Sequence, residues 1–283
     1  MAQAIDNNDF SKNGLMEREV TKSEDCRICG GPSDFFDEAT VLHKHSVAYF
    51  RCNRCGFIQT EAPYWLEEAY STAIARQDTG ILLRNLLNRD RIAAILNLLF
   101  PRVKSSLDFG AGHGIFVRLM RDAGFDFYWF DPHATNDYAR GFEHKEDRSY
   151  EFLTAFEVLE HLADPLDDLS KMMALSPNVL VSTELLPSPP PKVSKWWYYS
   201  TSGGQHISFY TPESLRVIAR RFGRNILSNG SYHLFTKEAK SNILFQSSFN
   251  RVVSRILKVA YRRPSLTWPD FEFLGNSTAK TQQ

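Results

Sequence analysis

The segment LDFGAGHGIF, residues 107–116, decides the fold that the sequence predicts. A short apolar run ends at Asp108, and Gly110, Gly112 and Gly114 follow at alternate positions before an apolar helical pattern begins. Glycine permits positive φ angles and has no Cβ atom, so a ligand can approach the backbone of such a loop near the first turn of the next helix. The segment therefore predicts a strand, a ligand-binding loop and a helix in succession.

Strands and helices alternate around this loop. Strands are predicted at residues 105–109, 125–130, 152–156, 179–183 and 206–210, with helices between them and a further helix at residues 75–100. This alternation is typical of a parallel sheet, and the turn Asn229-Gly230 between two apolar segments predicts an antiparallel hairpin. The fold class is therefore α/β, with a mostly parallel sheet that ends in an antiparallel strand, from about residue 75 to residue 240.

Charge distinguishes two ligands for the glycine loop. A dinucleotide loop has the spacing G-x-G-x-x-G and binds a pyrophosphate, whereas here the spacing is G-x-G-x-G and an acid, Asp108, precedes it. A carboxylate repels pyrophosphate but suits S-adenosylmethionine (SAM), which carries an amino group and a sulfonium. Asp131 ends the next strand, where an acid commonly accepts hydrogen bonds from ribose hydroxyls. The pattern favours SAM over NAD, and the alternative is an α/β domain whose glycines only form a turn.

Three motifs together resemble a known family. LDFGAGHG at 107–114, FDP at 130–132 and TAFEVLEHLADP at 154–165 are similar to the successive motifs of class I SAM-dependent methyltransferases, over about residues 80–236. The resemblance implies a Rossmann-like methyltransferase sheet. It also implies a set of cofactor-binding residues: Asp108, Gly110, Ala111, Gly112, Gly114, Asp131, Pro132, Phe156, Glu157 and His161.

The four cysteines of the chain all lie in two C-x-x-C pairs, Cys26 with Cys29 and Cys52 with Cys55. Two such pairs can supply four thiolates to a tetrahedral zinc ion, and four protein ligands leave no position for a substrate. The sequence therefore predicts a structural zinc-binding module at residues 21–70. The alternatives are a redox C-x-x-C pair or free buried cysteines, but neither explains why all four cysteines cluster.

A cysteine-rich module before a class I core resembles the sugar C-methyltransferases, which act on nucleotide-linked deoxysugars. This resemblance implies a sugar or nucleotide-sugar acceptor and a histidine that removes its proton, for which the matching position is His206. Gln205 departs from the expected neighbour of that histidine, which leaves O-methylation open. His161 and Glu184 are alternative catalytic bases. Two further interpretations are an O-methyltransferase of the quinone or secondary-metabolite type and a zinc-ribbon binding protein whose methyltransferase core is inactive.

An aromatic segment, Trp196-Trp197-Tyr198-Tyr199, follows a proline-rich stretch after the strand predicted at 179–183. Its rings can stack on an acceptor and exclude water from a cleft, or they can pack on the cysteine module. The sequence leaves both interpretations open.

Composition sets further limits. Lys and Arg together number 33, as do Asp and Glu, so the chain has no net charge and no nucleic-acid substrate is predicted. No apolar segment is long enough to span a membrane, and the polar N-terminus lacks a signal-peptide core, so a cytoplasmic protein with disordered residues 1–20 is predicted. Residues 241–283 predict one basic amphipathic helix at 245–263, interpreted as packing on the domain or as peripheral membrane contact, and then a loose tail.

Overall fold

The computed structural model describes residues 23–70 and 79–281, which form two β-sheets and the helices around them. The segment predicted to be disordered, residues 1–20, lies outside the described residues, as does the start of the helix predicted at 75–100. Within the described residues, no helix is both long enough and apolar enough to cross a bilayer.

The secondary structure follows the predicted alternation from residue 81 onward. In chain order the strands are β1 (Ser23–Asp25), β2 (Pro32–Val41), β3 (His45–Cys52), β4 (Ile58–Thr60), β5 (Ser106–Phe109), β6 (Phe127–Phe130), β7 (Phe152–Phe156), β8 (Asn178–Ser182), β9 (Ser208–Phe209), β10 (Asn225–Ser228) and β11 (Tyr232–Thr236). The helices are α1 (Leu66–Ala69), α2 (Ile81–Leu99), α3 (Ile115–Asp122), α4 (Pro165–Leu175), α5 (Pro212–Arg221), α6 (Asn242–Ser248), α7 (Arg251–Ala260) and α8 (Thr267–Thr281).

The larger sheet has six strands in the order β10-β11-β8-β7-β5-β6. Strands β6, β5, β7 and β8 are parallel to one another, whereas β11 is antiparallel to both β8 and β10. The carboxyl ends of β5, β6 and β7 therefore meet at one edge, where open α/β sheets bind their ligands. This Rossmann-like methyltransferase arrangement confirms the predicted fold class.

Both faces of the larger sheet are buried. On one face Leu107 and Val179 pack with Leu169 of α4, and on the other Leu180 packs in a cluster with Phe116 of α3. Successive side chains of a strand point to opposite faces, so strands covered on both sides are apolar almost without interruption. This burial explains why the strands after residue 105 stand out in the sequence.

The smaller sheet has five strands in the order β1-β2-β3-β4-β9, and each neighbouring pair is antiparallel. The strand predicted at residues 206–210 is reduced to the two residues of β9, which pair with β4 and not with the larger sheet. Side-chain hydrogen bonds reinforce this link, since Trp65 Nε1 donates to the Gly204 carbonyl at 2.7 Å and Gln205 Nε2 to the Ala69 carbonyl at 2.8 Å. The N-terminal sheet is thus built partly from a segment more than 140 residues further along the chain.

The C-terminal region differs from its prediction. The helix predicted at 245–263 is two helices, because Asn250 accepts hydrogen bonds from the backbone N–H groups of Val252 and Val253 and so begins α7 afresh. The predicted loose tail is wrong, since residues 267–281 form α8. Asp270 of α8 accepts two hydrogen bonds from the guanidinium of Arg121 in α3, at 2.8 and 2.7 Å, and both side chains are buried. Such a buried bidentate pair holds α8 against the domain.

Candidate active site

The glycine loop between β5 and α3 combines tight packing with one open position. Gly110, Gly112 and Gly114 have φ angles of +73°, +52° and +83°, a region that L side chains rarely adopt. A Cβ atom would lie 2.6 Å from Val158 Cγ2 at Gly110 and 2.8 Å from Asn136 Oδ1 at Gly114, so packing excludes other residues there. A Cβ atom at Gly112 would meet no atom within 4 Å. The backbone around Gly112 is therefore the part of the loop that a ligand can approach.

Trp129 of β6 and Asp131, which directly follows this strand, fix the orientation of the glycine loop. The carboxylate of Asp131 accepts hydrogen bonds from the backbone N–H groups of Gly112 at 2.8 Å, His133 at 2.8 Å and Ala134 at 3.0 Å. The Trp129 indole N–H donates to the Gly112 carbonyl at 2.7 Å. Because each carboxylate oxygen has two lone pairs, Asp131 keeps some capacity to accept a hydrogen bond from a ligand hydroxyl. Pro132, another predicted cofactor residue, directly follows Asp131.

Asp108 lies beneath the loop. It is 4% exposed, and the Thr154 hydroxyl donates to its carboxylate at 2.6 Å. Burial raises the pKa of Asp108 to about 7, with a small additional effect from the charge of Asp131, and the hydrogen bond from Thr154 opposes the rise. The negative charge on which the sequence argument for SAM depended is therefore not fixed at neutral pH, and the role of Asp108 in cofactor binding stays a prediction.

The loop after β7 faces the glycine loop, because β5 and β7 are adjacent and parallel. Glu157 has a φ angle of +53°, which is unusual for a residue with a side chain. Ser182 at the end of β8 holds it there, since the Ser182 hydroxyl donates to Glu157 Oε1 at 2.7 Å and accepts from the Glu157 N–H at 3.0 Å. Phe156 packs edge-on against Phe116 of α3, with ring centroids 5.0 Å apart. The predicted cofactor residues of this segment thus hold fixed positions beside the glycine loop.

Three further side chains, named here the Glu–His cluster, converge next to this loop. One donor atom each from Glu160, His161 and His206 lies within 4.8 Å of the others. Glu160 is fully buried, and neither of its carboxylate oxygens makes a hydrogen bond of good geometry among the described residues. Burial, and then the charge of Glu157, raise the pKa of Glu160 well above its ordinary value, and the nearby hydroxyls of Tyr198 and Thr183 oppose the rise. The motif analysis named Glu160 within the E-x-L-E-H segment but assigned it no role.

The two histidines of the cluster are held by backbone carbonyls. His161 Nδ1–H donates to the Gln205 carbonyl at 3.1 Å, and His206 Nδ1–H donates to the Tyr198 carbonyl at 2.7 Å. Their rings are perpendicular, with centroids 4.8 Å apart. Burial, followed by the neighbouring His206, lowers the pKa of His161 to about 3, and burial also lowers the pKa of His206. Both rings are therefore neutral at pH 7, and each keeps the lone pair of its Nε2 atom.

Glu184 and the aromatic segment at residues 196–199, the other two features predicted on the acceptor side, do not belong to the Glu–His cluster. Glu184 follows β8, is half-buried, and is not one of the three side chains whose donor atoms converge. In the aromatic segment, Tyr199 packs on Tyr49 and Phe209 of the N-terminal sheet, which agrees with the packing interpretation for this ring. Trp197 is 76% exposed. Tyr198 is buried beside the Glu–His cluster, and its ring centroid lies 4.8 Å from that of His206.

The four cysteines also converge, at one end of the N-terminal sheet. The Sγ atoms of Cys26 and Cys55 are 3.6 Å apart, those of Cys29 and Cys52 are 3.4 Å apart, and all four lie within 4.8 Å of one another. Thiolates around a tetrahedral zinc ion with Zn–S bonds of about 2.3 Å are separated by about 3.8 Å, so the donor set fits zinc. Backbone N–H groups point at these sulfurs, including that of Ile28 at Cys26, 3.4 Å away. No disulfide joins the four cysteines.

The parallel sheet, the glycine loop and the acid at the end of the second strand together define a nucleotide-cofactor protein of the Rossmann-like class. Residues 83–229, more than half of the chain, match the family model described as a methyltransferase domain. The chain therefore belongs to the methyltransferase-domain family. A search of curated proteins gave no match.

Several solved structures are similar to this chain. An O-methyltransferase family protein from Burkholderia thailandensis is 16% identical, with 62% of each chain covered and a TM-score of 0.46. Human N-acetylserotonin methyltransferase in complex with SAM is 16% identical, with 55% of this chain and 51% of that chain covered and a TM-score of 0.39. An O-methyltransferase family 2 protein from Planctomyces limnophilus, in complex with apigenin, is 15% identical, with 60% and 66% covered and a TM-score of 0.42. The chain spans between about half and two thirds of the length of these proteins.

Proposed function

We propose that the protein transfers the methyl group of SAM to an oxygen or carbon atom of a small molecule, and that this acceptor is a sugar or a nucleotide-sugar. One observation carries the proposal for the cofactor. The open backbone at Gly112 and the carboxylate of Asp131 lie side by side at the carboxyl edge of a parallel sheet, in a chain of the methyltransferase-domain family. That combination offers a ribose-accepting acid beside a backbone that a ligand can touch.

The residues around this edge fit the parts of SAM. Asp131 would accept hydrogen bonds from the ribose hydroxyls with the capacity that its three backbone contacts leave. Gly110, Ala111 and Gly112 would present backbone to the methionine end, and Phe156 and Glu157 would flank the cofactor. Glu157 adds a carboxylate, held in place by its contacts with Ser182, that would suit the positive charge of SAM. SAM supplies an electrophilic methyl group when bound.

Methyl transfer needs an acceptor atom in line with the sulfonium and a place for the acceptor's proton. The carbon–sulfur bond breaks as the new bond to oxygen or carbon forms, and S-adenosylhomocysteine leaves as a neutral thioether. Two of the three predicted bases, His206 and His161, belong to the Glu–His cluster, whereas Glu184 does not. Glu160 is fully buried and the two histidines are half-buried, so the cluster is partly shielded from water. The proposed proton acceptor is therefore the cluster, with His206 as its predicted base.

We also propose that Cys26, Cys29, Cys52 and Cys55 hold one zinc ion with a structural role. Four thiolates complete a tetrahedral shell, and no position remains for a substrate. The metal would tie the β1–β2 turn to the β3–β4 turn, which begin and end near these residues.

The experiment that tests the function has two stages. Titration calorimetry with SAM should give saturable heat that S-adenosylhomocysteine displaces, and a panel of nucleotide-sugars with isotopically labelled SAM should identify an acceptor that gains label. Mass spectrometry of the product then locates the methyl group on carbon or on oxygen. If neither SAM nor S-adenosylhomocysteine binds, the chain is a zinc-ribbon binding protein with an inactive core. If only non-sugar acceptors gain label, the sugar assignment fails and the secondary-metabolite type of O-methyltransferase replaces it.

A further inference from the structure

The Glu–His cluster contains a carboxyl group whose hydrogen bonds within the protein are incomplete. Glu160 is fully buried, and neither of its oxygens makes a hydrogen bond of good geometry among the described residues, although the hydroxyls of Tyr198 and Thr183 lie near enough to affect its pKa. Burial of a polar group without a well-formed hydrogen bond is unfavourable, and native proteins contain few such groups. The two imidazoles beside it are half-buried, and no lysine or arginine among the described residues bonds to this carboxylate. A ligand from outside the chain can therefore complete the surroundings of Glu160.

The hydrogen bonds of the two histidines specify what this ligand is. Each Nδ1–H donates to a backbone carbonyl, of Gln205 for His161 and of Tyr198 for His206. Metal-binding histidines are oriented in this way, because a carbonyl that holds one ring nitrogen fixes the tautomer and leaves the other nitrogen as a ligand. The cluster therefore offers two imidazole lone pairs and one carboxylate, which are all groups that bind a cation.

The separation of the three donors agrees with a metal site. Their donor atoms lie within 4.8 Å of one another. Ligands to an ion with bonds of about 2.1 Å stand about 3 to 4 Å apart, so a shift of about 1 Å or less closes the site. Two histidines and one carboxylate suit zinc, manganese, iron or cobalt in the divalent state, and three protein ligands leave at least one position open. This differs from the four cysteines, which fill the shell of their ion.

The cluster also lies beside the proposed cofactor edge. The ring of Tyr70 packs between the two regions, with its centroid 6.3 Å from that of His161 and 5.5 Å from that of His133. His133 in turn donates its backbone N–H to Asp131. The cluster and the acid proposed to bind ribose are therefore linked through one aromatic ring and one backbone hydrogen bond.

We propose that Glu160, His161 and His206 bind a divalent transition-metal ion whose open position takes an oxygen atom of the methyl acceptor. The inference rests on the proposed function and narrows its substrate class to acceptors with a hydroxyl oxygen that a cation can bind. A divalent ion held by these residues would lower the pKa of the bound hydroxyl, so that its proton would pass to solvent at the open side of the metal and the oxygen would carry the negative charge. Attack of that oxygen on the methyl carbon of SAM would break the carbon–sulfur bond, and S-adenosylhomocysteine would leave as a neutral thioether. In this arrangement His206 acts as a metal ligand and not as the base.

Metal content and cobalt binding test the site without any activity measurement. The full chain, stripped with a chelator and reloaded with Co²⁺, should bind two ions, one with the charge-transfer absorption of cobalt thiolates and one without it. Glu160→Gln should keep the thiolate absorption and lose the second ion, with cobalt affinity at that site reduced by more than about tenfold. Cys52→Ser should show the opposite pattern. His144→Gln, at a half-buried histidine that bonds to Tyr150, is the matched control and should keep both ions.

A second variant, His206→Gln, and a second ligand, SAM, separate failure of the metal site from failure of the proposed methyl transfer. If Glu160→Gln does not fold, His206→Gln takes its place with the same expectation. One cobalt ion per wild-type chain, with Glu160→Gln and wild type indistinguishable, overturns the metal site and leaves a proton-accepting cluster. SAM affinity by calorimetry should be unchanged in Glu160→Gln, because Glu160 is not among the residues proposed to bind the cofactor. Absence of SAM binding in every variant, with the second ion still present, would instead remove the proposed methyl transfer and leave the metal site standing.

Discussion

The four cysteines and the Glu–His cluster differ in how fully their donor atoms could surround a metal ion. The four cysteines form a closed set in which every sulfur faces the others, and backbone N–H groups surround them. The Glu–His cluster has three donors, of which Glu160 makes no hydrogen bond of good geometry among the described residues and the two histidines are half-buried. A complete shell stabilises a fold and prevents reaction, whereas an incomplete one leaves a coordination position or a proton site for a substrate. The first group is thus suited to structure and the second to chemistry.

The largest effect expected from this comparison is at the closed group. Cys52→Ser should release the proposed zinc ion and lower the free energy of unfolding by about 3 kcal/mol or more, because a structural metal site contributes directly to folding. Metal analysis and thermal denaturation measure both effects. Asn53→Ser, at the exposed neighbour of Cys52, is the control and should change neither quantity. A variant that keeps one ion per chain at full stability would contradict the tetrathiolate proposal.

The next largest effect is expected at Asp131 and Gly112, where SAM is proposed to bind. This binding should not depend on the four cysteines or on the Glu–His cluster. Asp131→Ala should weaken SAM binding by about 10- to 100-fold, because it removes the acceptor for the ribose hydroxyls and releases the Gly112 N–H. Calorimetry measures the affinity, and the metal content of the variant should stay as in the wild type. Unchanged affinity would place the cofactor elsewhere.

Asp108 can be compared with Glu160, because it too is a buried acid but accepts a hydrogen bond from the Thr154 hydroxyl. Its folded pKa of about 7 exceeds the ordinary value of 3.8, so between about pH 4 and pH 7 the folded state keeps a proton that the unfolded chain has lost. The free energy of unfolding should therefore fall as the pH rises through this range, by at most about 4 kcal/mol from this group. Urea denaturation at a series of pH values should show a flatter dependence for Asp108→Asn.

The control for this pH dependence is Asp147→Asn, at an exposed acid, which should keep the slope of the wild type. If Asp108→Asn also keeps it, the carboxyl group is already ionised in the folded protein, and a negative charge does stand beneath the glycine loop as the sequence argument assumed.

The smallest effect on stability is expected at the open group. Glu160→Leu replaces an unpartnered buried acid with an apolar side chain of similar size, so the metal-free protein should be as stable as the wild type or more stable by about 1 kcal/mol. Methyl transfer should be lost at the same time. Urea denaturation and the labelled-SAM assay measure the two quantities, and a destabilisation similar to that of Cys52→Ser would show that Glu160 has a structural role.

Local signals in the sequence were sufficient for the core of the fold. The glycine loop, the acid that ends β6 and the Asn229-Gly230 turn each depend on backbone conformations that few residues can adopt, so their positions could be read directly. Asp164 as the N-cap of α4 and Pro165 at its first turn were predicted for the same reason. Strand boundaries differ from prediction by two residues or fewer for β5 to β8.

The features that the sequence did not indicate depend on residues far apart in the chain. Helix α8 is held by Asp270 through Arg121, which is 149 positions earlier, and no local pattern records such a pair. Strand β9 was predicted as a strand, but its two residues alone could not show that β4 would be its partner. The Glu–His cluster is a further example, because only the folded chain brings Glu160 and His161 together with His206. The roles assigned to the individual cofactor and catalytic residues remain predictions for the variants above.

The pairing of β9 with β4 has a consequence for the cell that makes this protein. Ser208 lies two residues after His206, and Thr211 donates its hydroxyl to the Cys55 carbonyl at 2.6 Å, so one short stretch of chain touches both donor groups. If the four cysteines hold the proposed zinc ion, a chain that failed to acquire it would also misplace His206. Zinc starvation would then be expected to remove the proposed activity altogether, and not to leave a half-active protein with relaxed selectivity.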